Sequence, residues 1–232
     1  MRKRIVVSFS GGKDSILALH RLQTSGEWEI DSLVTTLTED YDRTTMHGVR
    51  YELLKQQAES LGIPLRIVWI PRNCSNEVYQ ERMQKAVNGI LADGVHHMMF
   101  GDIFLEDVKV YREKMLKGTG LTPIFPLWGE QSDAIIAEFL EKGFKTVVCC
   151  SDTDKIDASF TGRVLDKQFI EEFPAEHDIC GENGEFHTFV FDGPNFSIPV
   201  AYQLGENRLA KDMLTNKDRF YYVDLLPVGV EK

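Results

Sequence analysis

Apolar and polar positions alternate between two periods along the first half of the chain. Arg4-Ile5-Val6-Val7 is a short β-branched run, which predicts a strand. Ile16, Leu17, Leu19 and Leu22 then recur at helical spacing up to Gly26. Ile30 to Leu37 predicts a second strand, followed by a polar loop from Thr38 to Met46. Tyr51, Leu54, Ala58 and Leu61 make a helical stripe that Gly62 closes, with Pro64 preventing continuation. Leu65 to Ile70 predicts a third strand. Asn76 opens a helix with Tyr79, Met83, Val87 and Ile90 on one face, ending at Asp93-Gly94. His96 to Phe100 predicts a fourth strand, Val108 to Lys117 a helix, and Thr122 to Trp128 a further apolar stretch. Alternating strands and helices with ordinary connections imply an α/β fold: a Rossmann-like parallel sheet with helices on both faces.

A helix from Ser132 to Lys142 and a strand from Lys145 to Cys150 precede a change of character. Phe186 to Phe191 alternates and leads through Asp192-Gly193-Pro194-Asn195 into Phe196 to Tyr202, the pattern of a hairpin. Arg219 to Leu226 predicts one more strand. The expected organisation is a domain over residues 1–130 and a smaller α+β domain over 131–232.

The chain has 232 residues, 43% of them hydrophobic, enough for a sizeable core. Its net charge of −10 opposes a nucleic-acid or anionic membrane partner. No signal peptide or membrane span is expected. Cys74, Cys149, Cys150 and Cys180 form no C-x-x-C pair, so they read as buried free thiols of a reducing, cytoplasmic setting. The six histidines show no zinc spacing.

Chemistry concentrates first at Ser8-Phe9-Ser10-Gly11-Gly12-Lys13-Asp14-Ser15, between the first strand and the first helix. A glycine turn at a helix N-terminus is an anion site, because free N–H groups and the positive end of the helix dipole face one spot. Ser10 and Ser15 add hydroxyls, Lys13 a mobile charge, and Asp14 a ligand for a metal ion. The stretch is not a Walker A loop, whose first glycine would fall at Val7. Thr35 and Thr36, at the end of the second strand, are expected near an adenosine. Gly101 and Asp102 follow the fourth strand at the end where open α/β sheets place their chemistry, and Asp102 is a second metal candidate.

Two further constellations lie in the second half. Ser159, Thr161, Gly162 and Arg163 make a plausible anion or carbonyl clamp, or else a capped helix start. In Gly181 to Phe189, two glycines place Asn183 in a turn, and strand periodicity puts Glu185 and His187 on one face, opposite Phe186, Thr188 and Val190. A carboxylate and an imidazole side by side can orient an amine and move its proton.

The S-G-G-x-D-S pattern at Ser10–Ser15 resembles the PP-loop of the N-type ATP pyrophosphatases. Taken with Ser159–Arg163 and with Gly181-Glu182-Asn183-Gly184-Glu185-Phe186-His187-Thr188-Phe189-Val190, it resembles the diphthine–ammonia ligase family. Phe160-Thr161 in place of Trp-Leu, and Asn183 in place of a glycine, fit a divergent, bacterial-type branch. The resemblance implies a HUP-type domain that binds ATP and a C-terminal domain that takes an acceptor. It implies an AMP-forming ligase that adenylates a carboxylate and makes an amide with ammonia or another amine, with elongation factor 2 as acceptor where the source makes diphthamide. ATP would lie on Ser10, Gly11, Gly12, Lys13, Asp14, Ser15, Thr35, Thr36 and Gly101, with Mg²⁺ on Asp14 and Asp102. The acceptor would lie on Ser159, Gly162, Arg163, Glu182, Asn183, Glu185 and His187. Lys13, Asp14, Glu185 and His187 would be catalytic. No expected contact links Glu185, His187 or Arg163 to the triphosphate, so their loss should spare ATP affinity, and a homo-oligomer is left open. The alternatives are PP-loop chemistry on another acceptor, such as a small molecule or a tRNA base, and a nucleotide sensor without turnover.

Overall fold

The computed structural model describes residues 2–40, 42–44, 48–72, 74–212 and 215–229. The polar loop expected over Thr38 to Met46 lies partly outside these residues.

Five strands form a parallel sheet in the order β3-β2-β1-β4-β5: β1 (Lys3–Ser8), β2 (Trp28–Thr38), β3 (Leu65–Ile70), β4 (His97–Met99) and β5 (Thr122–Ile124). Helices α1 (Lys13–Ser25), α2 (Tyr51–Leu61), α3 (Asn76–Ala92) and α4 (Glu106–Leu116) connect them, and α5 (Ser132–Glu141) follows β5. The alternation inside β1 explains the two covered faces. Ile5 and Val7 join the cluster built with Ile16, Leu19, Leu53 and Leu54 of α1 and α2. Val6 points the other way, to Met83, Val87 and Ile90 of α3. α1 and α2 each stop at a glycine in the left-handed region, Gly26 and Gly62. The strand order reverses between β1 and β4, which makes the C-terminal end of β1 the topological switch point.

A second, antiparallel sheet has the order β7-β6-β9-β8: β6 (Lys145–Asp152), β7 (Phe186–Asp192), β8 (Tyr202–Lys211) and β9 (Asp218–Pro227). A short 3₁₀ turn (Ala158–Phe160) and α6 (Lys167–Glu172) lie between β6 and β7. One hydrophobic cluster runs from Ile5 and Leu17 through Phe139 to Phe189 and Val223, so the two sheets share a core.

The hairpin expected between Phe186 and Tyr202 does not form. β7 and β8 are at opposite edges of their sheet, and residues 196–201 are not a strand. Their backbone is engaged elsewhere: Ser197 N–H donates to Ser60 O at 2.9 Å, and Ile198 N–H donates to Ser60 Oγ at 3.2 Å. The end of α2 therefore takes the groups that a hairpin would have paired. The hairpin that does form joins β8 to β9.

Candidate functional site

At the end of β1 the chain turns through Ser10, Gly11 and Gly12 into α1. Gly11 has φ +77°, and a Cβ there would come within 2.5 Å of Gln57 Oε1 and 2.7 Å of Leu54 Cδ2. Gly12 occupies the N-cap position of α1 with no side chain to cap it. Its N–H donates to Ser10 Oγ at 3.2 Å, Ser15 Oγ donates to Gly12 O at 2.9 Å, and the two hydroxyls are 3.1 Å apart. The serines thus brace the turn. The N–H groups of Gly11 and Ser15 donate to no protein group among the described residues.

Lys13 is only 3% exposed, and its Nζ donates to both carboxylate oxygens of Asp14 at 2.8 Å. Burial alone would lower the Lys13 ammonium, but the Asp14 carboxylate together with Cys180 and Glu182 outweighs it and holds the group above its ordinary value. Lys13 Nζ also lies 5.6 Å from the centroid of the Phe186 ring.

The loop forms one wall of a cleft of about 440 Å³. Ser10, Gly12, Lys13, Asp14, Ser15, Thr35, Thr36, Gly101, Asp102, Glu182 and His187 all line it. Gly101 packs against the first turn of α1, where its Cβ would sit 3.0 Å from Asp14 C and Ser15 N. Burial pushes the Asp102 carboxyl up against the pull of Arg112, whose Nε is 3.6 Å from Asp102 Oδ2, too far for a hydrogen bond. Glu182 Oε1 accepts the Ile103 N–H at 2.8 Å, which ties the second sheet's leading loop to the end of β4. Burial, with the nearby Asp14 and Asp102 charges, raises the Glu182 carboxyl to about 7. His187 is pushed down to about 4 by burial and by Lys13, so it is neutral at pH 7.

Glu185 and Asn183 do not line the cleft. Strand periodicity begins only at Phe186, because Gly181 and Gly184, both at positive φ, fold residues 181–184 into a turn closed by a Gly184 N–H to Gly181 O bond of 2.9 Å. Glu185 follows that turn as a bend just ahead of β7. It is 2% exposed, and its Oε1 accepts from Asp178 N–H and Asn183 Nδ2, each at 3.3 Å. The turn carries Glu182 to the cleft in its place. Phe186, His187 and Thr188, the first three residues of β7, all line the cleft. Opposite His187 and Thr188, β6 carries one extra residue, Cys149.

Ser159, Gly162 and Arg163 lie away from the cleft. Asp157 caps the 3₁₀ turn by accepting Ser159 N–H at 2.8 Å, and Gly162 N–H donates to Val148 O at 2.8 Å. Arg163 pairs with Glu172 at 2.6 Å and stacks over Phe160 and Phe169.

The second sheet touches the phosphate loop directly. Val190 N–H donates to Gly11 O at 2.9 Å, Lys13 N–H donates to Thr188 Oγ1 at 3.0 Å, and Gln57 Nε2 donates to Gly11 O and Val190 O. Arg43 and Arg50 clamp Asp224 of β9 with paired hydrogen bonds.

Sequence reasoning missed several cleft residues. Tyr79 and Met83 read only as a core stripe, although they also face the cleft, and Arg112 carries no motif. Cys180 lines the cleft too, but burial raises its thiol to about 12 and it donates to Ser132 O, so it is no nucleophile at neutral pH. Among the described residues no helix is long and apolar enough to cross a membrane.

Comparison with known proteins matches residues 3–123 to the diphthamide synthase N-terminal domain and residues 131–213 to the diphthamide synthase C-terminal domain. Among curated proteins, the diphthine–ammonia ligase of Danio rerio is 24% identical over 90% of this chain and 90% of its own length. Those of Bos taurus and Homo sapiens are 21% and 20% identical over 88% of this chain and 84% of theirs. A solved structure, the U34-tRNA thiolase NcsA from Methanococcus maripaludis with its [4Fe-4S] cluster, overlays at a TM-score of 0.39 and 16% identity, covering 60% of this chain and 58% of that one, too distant to bear on fold or function. The two matches follow each other in chain order across both sheets, and on them the chain belongs to the diphthamide synthase family.

Proposed function

We propose that the chain is an ATP-dependent, AMP-forming ligase that converts a carboxylate to an amide with ammonia, and that diphthine on elongation factor 2 is the acceptor where the source makes it. The observation that supports this most is the loop itself. It is a glycine turn at the switch point, with a buried Lys13 and unpaired N–H groups, facing a cleft whose far wall comes from the second sheet. In the first step an acceptor carboxylate oxygen attacks the α-phosphorus of ATP and pyrophosphate leaves. In the second the ammonia nitrogen attacks the acyl carbon, AMP leaves with the bonding pair, and the nitrogen loses a proton.

The roles divide by position. Lys13 would hold the phosphates by its charge and Ser15 by its open N–H, with the Ser10 hydroxyl and Gly12 beside them, and Gly11 would shape the turn. Thr35, Thr36 and Gly101 would border the nucleoside. Glu182 and His187 would meet the acceptor and the amine. A Glu182 titrating near 7 is suited to taking a proton from the amine, while His187, held neutral by burial and by Lys13, would orient it. Asp14 and Asp102 fit Mg²⁺. Both carboxylates line the cleft, and Asp102 Oδ2 is buried without a hydrogen bond. Mg²⁺ commonly takes one or two carboxylates and completes its shell from phosphates and water. When bound, it would neutralise charge on the leaving pyrophosphate.

The test is mass spectrometry of diphthine-bearing elongation factor 2 incubated with the protein, ATP, Mg²⁺ and ammonium. Conversion of one carboxylate to an amide, dependent on all three, is expected. An unmodified acceptor with ATP turned over would overturn the choice of acceptor, and a modified acceptor without ATP consumption would overturn the mechanism.

A further inference from the structure

Gly12 gives α1 no side-chain cap, yet the first N–H of the helix is not left open. Lys13 N–H donates to Thr188 Oγ1 at 3.0 Å, across 175 positions of sequence and from the other sheet. Thr188 is 3% exposed, so water does not compete for this bond. The same strand closes in on the loop at two more points. Thr188 O would be 3.1 Å from a Cβ on Gly12, and Val190 N–H donates to Gly11 O at 2.9 Å. Gln57 Nε2 ties Gly11 O and Val190 O together from below. Between Thr188 and the turn, His187 lines the cleft.

We propose that Thr188 is a positioning residue of the phosphate loop: its hydroxyl supplies the N-cap that α1 lacks, and so fixes the direction of the Lys13 backbone and of the glycine amides beside it. A helix N-terminus binds an anion only where its N–H groups point at one place, and the first residue of the helix sets that direction. The cap belongs to the strand that carries His187, so a shift of β7 moves the acceptor wall and the phosphate loop as one. This rests on the reading of the loop as the phosphate site.

The test uses the full chain with Thr188→Val, which keeps the shape and removes the acceptor oxygen, and Thr188→Ser, which keeps the oxygen. Amide hydrogen exchange of the first turn of α1, measured without nucleotide, is expected to quicken in Thr188→Val and to stay at the wild-type rate in Thr188→Ser. Isothermal titration with ATP–Mg²⁺ is expected to show about a tenfold loss in Thr188→Val, the worth of a lost cap, with affinity restored to within about twofold in Thr188→Ser. Thermal melts confirm that both variants are folded. Unchanged exchange in a folded Thr188→Val overturns the cap. Faster exchange with wild-type affinity overturns the positioning role, since a purely structural cap would lower the melting temperature and leave binding alone. A wild-type chain that binds no ATP overturns the phosphate-site reading and this inference with it, whereas binding that is equal in wild type and Thr188→Val overturns this inference alone.

Discussion

Replacing Gly101 with alanine tests whether the end of β4 and the start of α1 act as one site. The new methyl carbon would stand 3.0 Å from Asp14 C and Ser15 N and 3.1 Å from Asp14 O, all backbone atoms of the first turn. Comfortable contacts between such atoms begin near ~3.5 Å, so the turn has to move away by roughly 0.5 Å. Rotamer changes cannot absorb this, because no side chain is in the way. Overpacking of this kind costs about 1–3 kcal/mol. For a chain of this length that lowers the melting temperature by about 2–4 °C per kcal/mol. The functional loss should be larger in proportion, because the displaced atoms carry Lys13, Asp14 and Ser15. A displacement of ~1 Å costs on the order of 10²-fold, and half that should cost about tenfold. Thermal melts and titration with ATP–Mg²⁺ on the same preparation separate the two effects. An unchanged melting temperature would refute the packing argument. A lowered one with wild-type affinity would refute the claim that this turn is the phosphate site.

Other outcomes follow from the same geometry. Asp14→Ala should weaken ATP–Mg²⁺ binding or turnover at least about tenfold, because it removes both the partner of Lys13 and a ligand candidate; titration and turnover assays read this. Asp224, held by Arg50 and Arg43, lies below the ordinary carboxylate range. Its contribution to stability is present above about pH 4 and is lost as pH falls towards its lower folded value, so melts of Asp224→Asn should show a weaker acid dependence than wild type. His187 has a folded value near 4, below its ordinary 6.5. The unfolded chain binds its proton first, so stability falls as pH drops from 6.5 towards 4, and His187→Gln should flatten that part of the profile.

The elements that were readable from sequence are those whose signals are local. The run Ile5-Val6-Val7, the stripe from Ile16 to Leu22 and the stop at Gly62 each contain their own explanation, and together they fix a parallel sheet. The loop at Ser10–Ser15 was readable because its context, strand before and helix after, is contiguous. What escaped was decided at a distance. Residues 196–201 alternate like a strand, but Ser60 on α2 competes for their backbone. β8 was hidden because Gly205 and a register shift break its pattern. Glu185 looked like a partner of His187, but it lies in a bend after the Gly181–Gly184 turn and outside β7. The cap from Thr188 to Lys13 links positions that no periodicity connects.

The central claim is that this loop holds ATP for cleavage between its α and β phosphates. Chromatography of labelled ATP after a single turnover with acceptor, Mg²⁺ and ammonium tests it most directly. AMP and pyrophosphate in equal amounts, with no earlier ADP, is the result expected; ADP and phosphate appearing first would contradict it.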